Sequence, residues 1–275
     1  KKLMTQYILT LSCPDKVGIV AAVSGFLATE NCNIAESAQF NDKSNGTFFM
    51  RVVFDAPTGF KPESFADTGK KFKMDWQIND AARKARVLIL VSKESHCLNH
   101  LLHRKRIGTL NIEVPAVISN HPDLKEMADW HKITFHKIAN KDDTAILKYV
   151  EEYKADLVVL ARYMQIVSPA LCEKLKGKAI NIHHSFLPSF KGAKPYQQAF
   201  ERGVKIIGAT AHYVTPALDE GPIIEQEVIR VEHTLTPDDL REAGSDIENL
   251  VLARAVQLHT QHRVLLNGNK TVIFK

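Results

Sequence analysis

The chain has 275 residues, 45% hydrophobic and 24% charged, a balance that excludes a disordered chain and suits about two folded domains. Its formal net charge of +5 comes from Lys and Arg spread along the chain, with one short cluster at residues 103–106; this argues against a nucleic-acid-binding module and favours attraction of small anionic substrates. Cys13, Cys32, Cys97 and Cys172 are scattered without CxxC or Cys/His zinc spacing, so they read as reduced thiols in a cytoplasmic protein and no metal site is expected. The opening KKLMTQYILTLSCPDK lacks the long apolar core of a secretory signal, and no stretch reaches about 18 uninterrupted apolar residues, so neither a signal nor a membrane span is expected.

The first eighty residues predict a β-α-β-β-α-β unit. Residues 7–11 form a β-rich run ended by Pro14 and Asp15. Residues 16–30 place Val20, Val23 and Leu27 on one helical face, with Asp15 as the expected N-cap and Asn31 as a left-handed stop. Strands at 33–41 and 47–55 are joined by a turn ending in Asn45-Gly46, a hairpin signal. In the second strand Phe48, Met50, Val52 and Phe54 share one face, and Phe49, Arg51 and Val53 the other. A second helix is expected over 62–72 and a weak last strand over 75–79.

The segment CPDKVGIVAAVSGFLATENCNI resembles the ACT domain, a ferredoxin-like α+β module that commonly binds amino acids and regulates the enzyme it is attached to. The resemblance implies a regulatory ligand at Asp15, Gly18 and Ile19, an amino acid such as glycine or methionine, and a homo-oligomer built by pairing of sheet edges. Gly18 would let a ligand reach the backbone where helix N–H groups favour a carboxylate. The alternative is that Asp15 and Gly18 only shape the turn and cap the helix.

The polar stretch NDAARK at 79–84 reads as a linker, which divides the chain into a first domain at 1–80, a linker at 81–85 and a second domain at 86–275. Beyond it strands alternate with helices. Strands are expected at 86–92, 114–119, 133–138, 157–161, 179–182 and 206–212, giving a Rossmann-like α/β domain with a mainly parallel sheet. A long helix over 237–265 follows, with Leu250, Val251, Arg254, Ala255 and Leu258 including an apolar stripe, and then a final strand at 271–274.

Two stretches carry chemistry. In AINIHHSFLPSFKGAKP a short strand delivers Asn181 and His183 on one side, at the carboxyl end where α/β sheets usually place their sites, ahead of a Pro- and Gly-rich loop. In GATAHYVTPALDEGPII His212 precedes Asp219 by seven positions and Gly221-Pro222 closes the loop. Singly, each residue has an ordinary structural explanation as a cap, a satisfied polar group or a turn residue.

Together, N-x-H and a downstream H-x6-D-x-G-P resemble the folate-dependent formyl transfer and hydrolysis family, over roughly 86–231 and including DLVVLARYMQIVSP at 156–169. The resemblance implies Asn181, His183 and Asp219 as catalytic residues. Tyr163, Met164, Gln165, Val167, Thr215 and Leu218 would contact the folate, with His212 as a pocket residue; for Met164 a core role is the alternative. Attack on a formyl amide creates an oxyanion that Asn181 and His183 can bind, and Asp219 can take a proton from water and help return one to the folate nitrogen. His183 is alternatively the proton donor. Glu220 reads as solvated.

His184 stands where the transferases of this family usually have Pro. The loop SKESHCLNHLL at 92–102 has no glycine to bring a ribonucleotide phosphate close, whereas the transferases carry a Gly-Ser-Asn type loop there. With the ACT-like module and the ending ENLVLARAVQLHTQHRVLLNGNKTVIF, this looks like the deformylase branch. That branch hydrolyses 10-formyltetrahydrofolate to tetrahydrofolate and formate, which supplies purine biosynthesis, with folate as substrate and no permanently bound cofactor. The competing expectations are a glycinamide ribonucleotide-type formyltransferase and an amino-acid-binding regulatory protein with an idle catalytic domain. Cys97 reads as a small buried thiol rather than a nucleophile.

Overall fold

The computed structural model describes residues 4–189 and 195–275. By packing, the chain divides into two compact units: Lys1–Arg83 with Gln261–Asn267 and Val272–Lys275, and Lys84–Thr260 with Gly268–Thr271. The expectation that everything from residue 86 onward belongs to the second domain therefore differs at the C-terminal end, where most of the last segment packs with the first unit.

In the first unit β1 (Met4–Pro14), α1 (Ile19–Thr29), β2 (Asn33–Asp42) and β3 (Thr47–Pro57) are followed by a 3-10 turn at Pro62–Phe65, α2 (Ala66–Phe72) and β4 (Asp75–Asp80). The strands form an antiparallel sheet in the order β2-β3-β1-β4, the ferredoxin-like arrangement. The face of β3 carrying Phe48, Met50, Val52 and Phe54 packs with Ile19, Val23 and Leu27 of α1. Residues 62–72, expected as one helix, begin with a 3-10 turn at Pro62–Phe65, with Pro at its first position, and continue as α2.

Two details of α1 differ from expectation. Its N-cap is Gly18, in the left-handed region at φ 95°, and no side chain caps the helix; Asp15 instead accepts from Asn41 Nδ2 at 2.5 Å. Val20 is exposed and Ile19 takes its place on the buried face, because the face turned to the sheet follows the i, i+4, i+8 spacing of Ile19, Val23 and Leu27. Asn31 does adopt a left-handed φ of 57°.

The second unit begins with β5 (Ala85–Val91), α3 (His96–Arg106), the short β6 (Ile112–Glu113) and β7 (Ala116–Ser119). It continues through α4 (Lys125–Trp130), β8 (Thr134–Lys137), α5 (Asp143–Glu152), β9 (Leu157–Leu160), α6 (Pro169–Lys174) and β10 (Ala179–His183). Then come α7 (Pro195–Arg202), β11 (Ile206–Tyr213), β12 (Ile223–Arg230), α8 (Pro237–Thr260) and a terminal hairpin of β13 (Val264–Asn267) and β14 (Lys270–Ile273). Among the described residues the main sheet runs β12-β11-β10-β9-β5-β7-β8, with β6 paired to β5. Its β10-β9-β5-β7-β8 part is parallel and β11 and β12 are antiparallel. Val87 to Val91 and Leu157 to Val159 are almost wholly buried, as expected of parallel strands covered on both faces.

The long helix ends at Thr260, not near 265, and the chain turns at His262 with φ 53°. Its buried side is Leu240, Gly244, Ile247, Glu248, Val251, Leu252 and Ala255, one turn apart along a single face. Leu250 and Leu258 are only half-buried. Phe49, on the other face of β3, is buried against Val272 and Phe274. No helix among the described residues is long and apolar enough to cross a membrane.

Candidate active site

The carboxyl ends of β9 and β10 open into a cavity of about 730 Å³, within the range of small-molecule sites. Asn181, His183, His212 and Asp219 line it, with Tyr163, Met164, Gln165, Val167, Thr215 and Leu218. Asp15, Gly18 and Ile19 belong to the first unit, where the Ile19 side chain is part of the core. Residues 190–194, inside the Pro- and Gly-rich loop, lie outside the described residues.

The sheet register brings the polar groups together. Asn181 lies opposite His212 and His183 opposite Thr210 across the β10–β11 pair. The loop that follows β10 is tied to the sheet by Thr210: its hydroxyl donates to Ser185 O at 2.8 Å and accepts from Leu187 N at 3.0 Å and Gln226 Nε2 at 2.9 Å. Asp219 reaches back from the loop between β11 and β12 in a left-handed conformation, φ 56°. That loop closes because Tyr213 N donates to Pro222 O at 2.9 Å, and Gly221 passes so near Tyr213 O that a Cβ there would collide with it.

Asp219 Oδ2 is 3.4 Å from His183 Nδ1 and Asp219 Oδ1 is 3.8 Å from His212 Nε2, all three side chains being buried. His212 Nδ1 is 2.9 Å from Tyr213 O. A carbonyl only accepts, so Nδ1 carries the hydrogen and, in the neutral ring, Nε2 accepts from Asn181 Nδ2 at 3.3 Å. Burial lowers the pKa of His212 against the opposing pull of the Tyr213 bond and the Asp219 charge, which favours that neutral form.

The apolar arm of the cavity is held by a separate set of bonds. Met164 N donates to Ser92 Oγ at 2.9 Å, and Ser92 Oγ donates to Asn120 Oδ1 at 2.7 Å. Ser168 N donates to Asp143 Oδ2 at 2.8 Å, and the Ser168 hydroxyl caps α6 by accepting from Leu171 N. Met164 is 57% exposed, so the core alternative for it is set aside. Tyr163 Oη is buried with no hydrogen-bond partner among the described residues, and burial pushes its phenol up to about 12.

The other arm contains residues the motifs did not point to. Glu248, on the buried face of α8, accepts from Tyr196 Oη at 2.6 Å and from His96 Nε2 at 2.7 Å, and lies 3.5 Å from Arg162 Nε. The Arg162 contact is coulombic, since that nitrogen has no aligned hydrogen bond among the described residues. Burial raises the Glu248 pKa, but the His96 bond, the Arg162 charge and the Tyr196 bond outweigh it and hold the carboxyl low. A Glu in the apolar stripe of ENLVLARAV was the one signal in the sequence. Burial, then the Arg162 charge, drops His184 to about 3, so it is neutral beside His183. Glu220 is exposed, and burial raises the Cys97 thiol well above its usual value.

Residues 85–256 match the formyl transferase family and residues 7–59 the ACT domain. Fold and site together define a formyl transferase-type protein with an ACT domain ahead of it. The chain is 50% identical to the formyltetrahydrofolate deformylase of Corynebacterium sp. (strain P-1), covering 98% of each. It is 47% identical to that of Bacillus subtilis (strain 168), covering 97% of this chain and 93% of the relative. A crystal structure of a formyltetrahydrofolate deformylase from Pseudomonas syringae pv. tomato str. DC3000 superposes with a TM-score of 0.96 at 48% identity, covering 99% of this chain and 95% of the other. The chain belongs to the formyltetrahydrofolate deformylase family.

Proposed function

We propose that this chain hydrolyses 10-formyltetrahydrofolate to tetrahydrofolate and formate. The observation that carries the reading is Asp219 Oδ2 at 3.4 Å from His183 Nδ1, in one cavity with Asn181. The pteridine lies in the apolar arm, where Tyr163 Oη, Met164, Gln165, Val167, Thr215 and Leu218 contact it. Water attacks the formyl carbon and gives a proton to Asp219. The oxyanion is held by the Asn181 amide and the His183 imidazole, each such donor being worth about 2.7–4 kcal/mol. The bond from carbon to the folate nitrogen then breaks as that nitrogen takes a proton back, and formate leaves. His212 keeps the Asn181 amide aimed at the oxyanion.

Residues 1–80 act as a regulatory domain, joined at 81–85 to a catalytic domain at 86–275, with Gln261–Asn267 and Val272–Lys275 completing the first unit. Asp15, Gly18 and Ile19 mark the effector site, and glycine or methionine is the effector; only the backbone of Ile19 can take part, its side chain being buried. The enzyme works in the cytoplasm as a homo-oligomer and supplies formate to purine biosynthesis.

The test is formate release from 10-formyltetrahydrofolate by the purified chain, with and without an acceptor amine. Equal release in both supports hydrolysis. Consumption of the formyl group only when the amine is present would replace it with transfer.

A further inference from the structure

The carboxylate of Glu248 is 1% exposed, lies in the same cavity as Asn181 and Asp219, and has no part in the steps above. Its neighbours invite a metal reading, since ligand atoms of His96, Cys97 and Glu248 all lie within 4.8 Å of one another. The bonding argues otherwise. Oε1 already accepts from Tyr196, Oε2 from His96, and the Arg162 guanidinium sits 3.5 Å from Oε2, which places a fixed cation where a second would have to go. Both oxygens are thus engaged by groups of the protein itself.

What it does hold is the Tyr196 ring. On α8, Gly244 and Glu248 are one turn apart on the same face. A Cβ at Gly244 would collide with Tyr196 Oη, so the glycine leaves the notch in which the phenol lies and Glu248 fixes its tip. From there a run of rings leads back to the reacting centre: Tyr196 to His184 at 5.8 Å and His184 to His183 at 5.1 Å between centroids. Tyr196 is 7% exposed.

We propose that Tyr196, seated on Gly244 and bonded to Glu248, is a specificity-determining residue that closes the polar arm of the cavity to amine acceptors, so that the formyl group passes to water. The proposal rests on the hydrolytic reading above. With the pteridine in the apolar arm, an amine would approach His183 from the side lined by His184 and Tyr196. Water is small enough to reach the carbon without displacing either ring. If the wall opens, a primary amine attacks the formyl carbon instead, the carbon–nitrogen bond to the folate breaks, the folate nitrogen takes the proton lost by the amine, and the products are an N-formyl amine and tetrahydrofolate.

The experiment supplies the full chain with 10-formyltetrahydrofolate and glycinamide and measures N-formylglycinamide and formate by mass spectrometry. Tyr196→Ala and Gly244→Ala, which removes the notch and displaces the ring tip, are expected to raise the ratio of N-formylglycinamide to formate at least tenfold. Tyr196→Phe, which keeps the ring but loses the bond to Glu248, is expected to raise the ratio by less than either Ala variant. Ratios in the Ala variants equal to that of the unmodified chain would overturn the proposal. Should neither Ala variant fold, the unmodified chain decides: relative to their uncatalysed rates, hydroxylamine is expected to capture the formyl group at least tenfold better than glycinamide, and equal capture would overturn the closure. No formate from the unmodified chain, by contrast, would remove the hydrolytic reading itself.

Discussion

Asn181 and His212 face each other across an antiparallel strand pair, with Asn181 Nδ2 3.3 Å from His212 Nε2. Because His212 spends its one N–H on Tyr213 O, its other nitrogen can only accept, which settles which end of the Asn181 amide points at it. One amide hydrogen is used there and the second is left for the substrate oxygen. Asn181→Ala should therefore lower kcat by about 10²–10³. His212→Phe should lower it less, and the double variant should be no worse than Asn181→Ala alone, because the histidine acts through the asparagine. Additive losses in kcat would show that His212 touches the reaction by another route.

Asp219→Asn keeps shape and volume while removing the proton acceptor. Formate release should fall by about 10²–10⁴ with the thermal unfolding midpoint little changed. Activity equal to that of the unmodified chain would take Asp219 out of the proton path.

The neutral His184 makes stability depend on pH. In the unfolded chain it protonates near its ordinary value of 6.5, whereas in the fold it does so only at about 3. Between those limits the unfolded state binds the extra proton, so stability is intact above pH 6.5 and is lost progressively as pH falls toward 3. At pH 5 the loss is about 2 kcal/mol. Urea unfolding at pH 7 and pH 5 should show this difference shrinking in His184→Asn; an unchanged difference would assign the acid sensitivity elsewhere.

In the first unit, Arg51 is 5% exposed and donates to Gln261 O at 3.2 Å and His262 O at 3.1 Å, with Glu36 at 3.3 Å. Arg51→Ala leaves two carbonyls without their donor and should cost about 1–3 kcal/mol, measurable by thermal unfolding. Glu36, being largely exposed, contributes little to that figure. A change below about 0.5 kcal/mol would mean that water replaces the guanidinium.

Much of this was legible in the residues. The alternation of Phe48 to Phe54 and the left-handed Asn31 each rest on a local rule and each stands in the fold; the pairing of N-x-H with a later Asp came from the family resemblance, and these residues line one cavity. What escaped depends on distant packing. Val20 and Ile19 are both compatible with a helical face that holds Val23 and Leu27, and only packing against the sheet selects Ile19. The strand Ile223–Arg230 pairs on one side only in this sheet, so its charged sequence lacks the apolar run that marks the buried strands. Nothing in Gln261-His262-Arg263 breaks a helix, and α8 ends there where the chain turns toward the Arg51 donors. Glu248 lies among Val251, Leu252 and Ala255 on the buried face of α8, where its partners come from distant segments of the chain.

The grouping of the last residues with the first eighty-three means the polypeptide leaves its opening fold, builds a second, and comes back to finish the first. Severing the chain once near residue 84 would yield an amino-terminal piece whose Phe49 has lost Val272 and Phe274 and whose Arg51 has lost two acceptors. Separate production of the small module therefore calls for a graft that restores the returning segment, not for a simple truncation.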